Sequence, residues 1–116
     1  MDFRQLTDQA ILAIATPIMD ELMLASTEIN HSLHTKHFTD RLKTIVTADY
    51  FENVCKHYQV EKGFFTERSP VSVFKRPDSA AIIWRQGFSK KPGDYVAEMV
   101  LVKSGDQYLV DHVMVF

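Results

Sequence analysis

Between Gly63 and the last residue, apolar side chains alternate along every predicted strand and occupy both of its faces. Successive side chains of a strand point to opposite sides, so these residues form two surfaces of one sheet. The first set comprises Ile82, Trp84, Phe88, Tyr95, Met99, Leu101, Tyr108, Val110, Met114 and Phe116. The second set comprises Ile83, Val96, Val100, Val102, Leu109, Val113 and Val115. An antiparallel sheet usually leaves one face in water, so a sheet that is apolar on both faces needs a cover on each.

The N-terminal part of the chain has helical periodicity instead. Apolar residues recur at helical spacing from Asp2 to about Ala25, at Ile11, Ile14, Ile18 and Leu22. This spacing predicts a long first helix that is buried over much of its girth. Pro17 removes one amide donor, so we expect it to kink this helix or to begin its second half.

Two shorter helices are predicted to follow. The polar stretch 27–34 is typical of a connection, and the pattern of 36–46 predicts a second helix. Thr47 is a suitable N-cap for a third helix, which should end near Gly63, since glycine favours helix C-termini.

The period of two after Gly63 predicts four strands, near residues 64–75, 80–88, 95–103 and 108–116. Short polar loops between them make consecutive strands antiparallel neighbours. The sequence therefore predicts a single α+β domain, 1–116, in which three N-terminal helices pack on a curved four-stranded antiparallel sheet. The predicted core is Ile14, Ile18, Leu22, Phe38, Leu42, Phe51, Val54, Trp84, Met99, Leu101, Val110 and Met114.

Composition narrows the classes of function. The net charge of −2 gives no basic surface for nucleic acid or for an anionic membrane. The N-terminus lacks a cationic start, and Asp8 and Pro17 interrupt its apolar stretch, so we expect neither a signal peptide nor a membrane span. A single cysteine, Cys55, excludes an internal disulfide and fits a reducing compartment, so a cytoplasmic location is expected.

Two groups of potentially reactive residues have simpler interpretations. His31, His34 and His37 recur every three residues, but they lie in a polar connection and only Asp40 follows at helical spacing, so a solvated loop is favoured over a metal site. Cys55 lies among apolar residues of the third helix and is interpreted as buried and inert. We expect no metal and no cofactor.

His112 is the sharpest chemical candidate. Its position in the alternation predicts that it lies on the helix-covered face, with Tyr108 on its own strand and Tyr95 on the next. Together with Trp84 and Gln86, these residues could surround a small-molecule site. The alternative is a core histidine that is satisfied by a hydroxyl or a carbonyl, and this alternative is favoured.

The second apolar set carries charged residues and predicts an interface. Symmetric hairpins would place Arg85 opposite Glu98, and Glu98 opposite Asp111, in one row across three strands. The predicted interface comprises Ile83, Arg85, Val96, Glu98, Val100, Asp111 and Val113. Because the helices should cover the other face, a second copy related by a two-fold axis is the simplest cover for this one.

Helices followed by a curved sheet resemble the NTF2-like (cystatin-like) superfamily, and in particular its small bacterial members of unknown function. AIATPIMDEL (13–22) is similar to the first helix, HFTDRLKTIVTADYFENV (37–54) to the following helical segment, and Gly63-Phe64-Phe65 to the entry into the sheet. The resemblance implies a cone with a pocket between helices and sheet, and frequent dimerisation through the sheet. It implies no particular activity.

Two functions of different class follow. The favoured hypothesis is a non-enzymatic module that binds a small apolar ligand or serves in assembly, and that dimerises through the open sheet face. The alternative is a small isomerase or dehydratase in which His112 is the base and Tyr95 or Tyr108 donates a hydrogen bond. That alternative requires an open pocket at His112.

Overall fold

The computed structural model describes residues 1–116 and contains helices followed by one antiparallel sheet. After a 3₁₀ turn at Phe3–Gln5, the helices are α1 (Asp8–Glu28), α2 (His31–His34), α3 (Asp40–Ile45) and α4 (Ala48–Glu61). The strands are β1 (Phe65–Lys75), β2 (Ser79–Phe88), β3 (Tyr95–Ser104) and β4 (Gln107–Val115), and they are ordered β1-β2-β3-β4. The helices pack on the sheet, so the predicted α+β class is confirmed.

Threonine caps fix where the helices begin. The side chain of Thr47 accepts a hydrogen bond from the backbone N–H of Tyr50, and α4 starts at the next residue, as the sequence predicts. Thr39 caps α3 in the same way through the N–H of Leu42. Each cap satisfies one of the unpaired donors at a helix start.

Two expectations about the helical half are wrong. The stretch predicted as a connection contains α2, which Asn30 caps through the N–H of Leu33. The helix predicted over 36–46 is only the six-residue α3. The segment before it is extended, because Phe38 pairs with Val110 at the free edge of β4.

Helix α1 is long and apolar enough to cross a membrane by length and composition alone. The core helix of a soluble protein and a signal sequence meet the same criterion. In this structure Ile11, Ala15, Met19 and Leu22 belong to the core under the sheet. The absence of a membrane span and the cytoplasmic location stay predictions.

The helices cover the face of the sheet that carries Trp84, Met99 and Leu101, and we call this the inner face. These three side chains are at most 1% exposed, as the sequence predicts for β2 and β3. Leu22, Phe38, Leu42, Phe51 and Val110 are also buried as predicted, while Ile14 and Ile18 are half-buried against the core. Val54 and Met114, which are 44% and 48% exposed, were wrongly assigned to the core.

A β-bulge in β4 explains the error at Met114. Val100 pairs with His112 and Leu101 pairs with Val110, so Asp111 has no partner on β3. A bulge inserts one residue and reverses the alternation beyond it. Val113 and Val115 therefore pack on the inner face, whereas His112 and Met114 lie on the opposite face, which we call the outer face.

Contacts from α3 hold this bulge in place. The Asp111 carboxylate accepts hydrogen bonds from the Thr39 hydroxyl, at 2.8 Å, and from Arg41 Nε, at 3.1 Å. Arg41 also donates to the Asp111 carbonyl oxygen. Burial would raise the pKa of Asp111, but the bonds from Thr39 and Arg41 outweigh it and keep the pKa below its usual range. Asp111 thus stays ionised and fastens α3 to the edge of the sheet.

Candidate functional site: a pocket between helix α4 and the sheet

A pocket of about 330 Å³ lies between α4 and one end of the inner face. Phe51, Cys55, Tyr58 and Lys62 line it from α4 or its C-cap, and they fall on one side of the helix because they are three or four residues apart. From Tyr50 to Lys62 this wall is about 18 Å long at 1.5 Å per residue. Such a volume is at the lower end for a small-molecule site.

The opposite wall comes from the sheet and is apolar. Phe65 of β1, Phe88 of β2, and Val113 and Val115 of β4 line it. The two valines reach the pocket only because the bulge at Asp111 turns them inward. Tyr50, Val54 and Met114 also line the pocket and are each about half exposed, so they mark its mouth.

A chain of three polar groups crosses the pocket wall. Ser26 Oγ of α1 lies 2.7 Å from the Tyr58 hydroxyl and 3.3 Å from Cys55 Sγ, both on α4. Gln59 Nε2 donates to the carbonyl oxygens of Ser26 and Thr27 at 3.2 Å and ties the same two helices together. These bonds fix the spacing of α1 and α4 and therefore the width of the pocket.

Burial keeps the Cys55 thiol and the Tyr58 hydroxyl protonated. It raises the pKa of Cys55, and the hydrogen bond with Ser26 offsets only part of the effect. Burial likewise raises the pKa of Tyr58. Cys55 is buried, as the sequence predicts, and no cationic group lowers its thiol pKa. Both groups therefore act as hydrogen-bond donors rather than as nucleophiles at neutral pH.

His34 of α2 closes the pocket at the end opposite Lys62. It is 8% exposed, its ring lies 4.4 Å from the Phe51 ring and 5.2 Å from the Phe38 ring, and its Nδ1 has no hydrogen-bond partner. Burial, together with repulsion from His31, lowers the pKa of His34 from 6.5 to about 4. The imidazole is therefore neutral at physiological pH, and the expectation of a solvated loop is wrong for this residue.

The other two histidines of the triplet point to different partners. His31 Nε2 lies 2.8 Å from the Val46 carbonyl oxygen, and His37 Nε2 lies 3.6 Å from a Glu21 carboxylate oxygen. No cluster of three or more metal-ligating side chains is present in residues 1–116.

Lys62 supplies the only formal charge in the lining. Its ammonium lies 5.5 Å from the centre of the Phe88 ring and 5.1 Å from that of the Tyr95 ring, as in a cation–π contact. The neighbouring Glu61 carboxylate contacts His57 at 3.2 Å and Lys91 at 3.3 Å instead. Lys62 therefore has no ion-pair partner of its own.

Of the predicted ligand-binding residues, Trp84, Gln86 and Tyr95 are neighbours on the inner face, as predicted, but Tyr108 and His112 lie elsewhere and none of the five lines the pocket. Trp84 and Gln86 are buried in the inner-face core, where the Gln86 amide donates to the carbonyl oxygens of Thr66 and Gly87 at the β1 bulge. Tyr95 packs against Phe88 and Lys62 just outside the pocket. Tyr108 lies at the far end of β4 and contacts Phe3 and Lys103.

The predicted position of His112 is wrong. It lies on the outer face, 38% exposed, with Nε2 2.9 Å from the Glu98 carboxylate. The bulge at Asp111 turns the His112 side chain to the outer face, and His112 does not line the pocket beside α4. The isomerase or dehydratase hypothesis therefore loses the pocket base on which it depended.

The predicted charge row of the interface is not formed either. Arg85 pairs with Val96 across the strands and contacts Asp94 at 3.4 Å, while Glu98 lies between Ile83 and Met114. Asp111 is bound to α3, and Val113 faces inward. Ile83, Arg85, Val96, Glu98 and Val100 do share the outer face, as predicted.

None of the pocket residues was predicted as part of a ligand site, and Ser26, His34, Tyr58 and Lys62 are among its polar members. The spacing of Phe51, Cys55 and Tyr58 was available and indicated a buried stripe, but not that the stripe faces a cavity. The sequence does contain a signal for the bulge. Two consecutive polar residues, Asp111 and His112, separate Val110 from Val113, and the alternation of valines changes phase across them.

No protein-family model matches this sequence, and no curated protein sequence matches it. Solved structures do share the fold. The chain is similar to Bd1075 of Bdellovibrio bacteriovorus, with a TM-score of 0.52 and 11% identity over 87% of this chain. It spans only 38% of that protein's chain.

A second similar structure is a DUF4783 family protein from Bacteroides uniformis. The TM-score is 0.51 and the identity 14%, and the match covers 83% of this chain and 93% of that one. At such low identity these similarities concern the fold alone and carry no information about function.

Proposed function

We propose that this protein is a non-enzymatic module that binds a small apolar ligand in the pocket between α4 and the sheet. The observation that carries the proposal is the cavity of about 330 Å³, lined mainly by apolar side chains with a few polar groups at fixed positions. Ligand sites have this composition, in which apolar walls supply affinity and isolated polar groups orient the ligand.

The pKa values of the residues that line the pocket support ligand binding rather than catalysis. His34, the only histidine of the pocket, has a pKa of about 4, and burial raises the pKa values of Cys55 and Tyr58. No carboxylate lines the cavity. A general base acts best when its pKa is near the working pH, and a thiol must ionise to attack.

A blocking substitution tests the proposal. Val54→Trp places an indole at the mouth of the pocket, so binding of the neutral apolar dye N-phenyl-1-naphthylamine should weaken by roughly tenfold or more. Val60→Trp is the matched control, because Val60 is on the same helix, 78% exposed and outside the pocket. Fluorescence titration measures both. Equal dye affinity in the two variants, or no binding to the wild type, contradicts the proposal.

We further propose that the chain is an NTF2-like domain. In support, the helices precede the sheet, bulges bend β1 and β4, and the cavity lies between the helices and the sheet. Of these features, the pocket between helices and sheet is one that the sequence resemblance implies. A co-crystal structure with a ligand in the pocket would test whether this end of the sheet serves as the open end of the cone.

A second candidate function is assembly, as a homodimer formed through the outer face. This face has no helix over it and exposes large apolar side chains, among them Phe74, Met114 and Phe116 at 54%, 48% and 54%. With four strands about 4.8 Å apart and ten residues of about 3.3 Å each, it is about 19 Å by 33 Å, or roughly 600 Å². Two such faces together reach the lower bound of a standard interface.

The charged groups of the outer face are compatible with this contact. Glu98 pairs with His112, and Arg85 contacts Asp94, so burial would desolvate groups that already have partners within the chain. Apolar area rather than a charge row therefore supplies the attraction in this proposal.

Val100→Lys should dissociate the dimer. Val100 lies between Ala81 and His112 near the middle of the outer face, where a buried lysine has no partner and costs several kcal/mol, on the order of 3 to 5. Val60→Lys, on α4 away from this face, is the control and should leave the dimer intact. Sedimentation at micromolar concentration measures the mass. A wild-type monomer of 13.4 kDa would refute the homodimer.

A further inference from the structure

The pocket carries one positive charge and no negative one. Lys62 is its only charged lining residue, and the ammonium is held over Phe88, itself a lining residue, at 5.5 Å. An ammonium that has no ion-pair partner in the protein is available to pair with a ligand anion. The sequence places this charge at the last position of the α4 wall, so one end of the pocket is cationic.

Hydrogen-bonding side chains lie beside that charge. Two contacts join Ser26, Cys55 and Tyr58, and the Tyr58 hydroxyl also has the side chains of Gln59 and Thr27 as hydrogen-bond partners. Tyr58 precedes Lys62 by one helical turn, and its ring packs on Phe65 at 5.0 Å and on Phe88 at 6.1 Å. The Tyr58 ring and the Lys62 ammonium thus border the same Phe88 ring.

The other end of the pocket is uncharged. Phe51 and Val46 line it together with the buried His34, whose Nδ1 lacks a partner. Phe51 precedes Lys62 by eleven residues, about 16 Å along α4, so the two ends are well separated. A ligand with charge at one end and an apolar body matches this polarity.

We propose that the pocket accepts an amphipathic monocarboxylate, with the carboxylate at Lys62 and the apolar chain running along α4 toward Phe51. This inference rests on the proposed ligand-binding function and specifies the chemical class of the ligand. The carboxylate accepts hydrogen bonds from the Lys62 ammonium. The apolar chain lies between α4 and the two inward valines of β4, Val113 and Val115.

Paired ligands and paired variants test the head group. Octanoate and 1-octanol have chains of the same length and differ in charge. Lys62→Met removes the charge and leaves an unbranched side chain that is one heavy atom shorter. By isothermal titration calorimetry the wild type should bind octanoate about tenfold more tightly than 1-octanol. Lys62→Met should lose that preference and leave 1-octanol binding within about twofold. Lys56→Met, an exposed α4 lysine paired with Glu52 at 3.2 Å, should behave as the wild type.

The outcomes separate the two proposals. If 1-octanol and octanoate bind equally, or if Lys62→Met binds octanoate as the wild type does, the carboxylate assignment is overturned while the apolar pocket stands. If neither compound binds, the proposed function itself is overturned.

Discussion

Deleting Asp111 should leave the domain folded, whereas deleting Val100 should unfold it. Removal of the bulge residue makes the β3–β4 ladder regular and keeps Leu101 opposite Val110 and Val100 opposite His112. The same valines then still face the helices. No bulge in β3 can absorb the deletion of Val100. The deletion therefore reverses the direction of the side chains in half of this central strand, and Glu98 then points into the core. That penalty exceeds the whole stability of a typical domain, about 5 to 15 kcal/mol.

The deletion of Asp111 should lower the free energy of unfolding because the contacts of Asp111 with α3 are lost. The deletion removes the hydrogen bond from Thr39 and the contacts of Arg41, which should cost roughly 1 to 3 kcal/mol. Asp111→Ala keeps the bulge and the carbonyl contact and should cost about 1 kcal/mol. Urea unfolding followed by circular dichroism ranks the variants. If the Asp111 deletion is unfolded while Asp111→Ala is folded, the unpaired position of Asp111 is wrong.

Acid should destabilise the protein through His34. The unfolded chain binds a proton at this residue near its ordinary pKa of 6.5, but the folded protein does so only near 4, because burial disfavours the imidazolium. The unfolded state therefore holds more protons between these values, so the free energy of unfolding falls as the pH falls from 6.5 to 4. The loss should total about 3 kcal/mol and level off below pH 4.

Replacing the imidazole isolates this contribution. His34→Gln stays neutral, so its stability should fall by about 3 kcal/mol less than that of the wild type between pH 7 and pH 4. His57→Gln is the matched control, because the His57 side chain is 81% exposed on α4. Its free energy of unfolding should fall between pH 7 and pH 4 by as much as that of the wild type. Urea midpoints across this pH range provide the measurement. Parallel curves for His34→Gln and the wild type would contradict a buried, neutral His34.

The position of the turn shows how one local residue sets a register. The predicted pairing of Glu98 with Asp111 requires a two-residue turn at Ser104-Gly105, but Ser104 pairs with Gln107 and the turn is Gly105-Asp106. Gly105 has φ +60°, which suits the first central position of a type II′ turn. This shift, together with the bulge and the register of β2 on β3, separates Arg85, Glu98 and Asp111, so the predicted charge row could not form.

The pocket could not be predicted because it depends on distances between elements. Phe51 and Cys55 were correctly assigned to the buried side of α4. The hydrogen bond between Ser26 and Tyr58 fixes the position of α4 relative to α1, and a cavity remains between α4 and the sheet. A periodic pattern gives the direction of a side chain and not the gap in front of it. His34 was missed for the same reason, since the rings that bury it come from Phe38 and Phe51.

Local sequence signals were enough to define most of the elements and the two faces of the central strands. Threonine caps, Gly63 and strict alternation are short-range signals, so α4 and all four strands were predicted to within a residue or two at most boundaries, and the inner face of β2 and β3 was predicted correctly. The face that the end of β4 presents depends on tertiary contacts, although the phase change of the valines at Asp111-His112 is visible in the sequence. Alternation has a period of two, and the single residue that shifts it, Asp111, is held out of the ladder by Thr39 and Arg41, about 70 positions earlier in the chain.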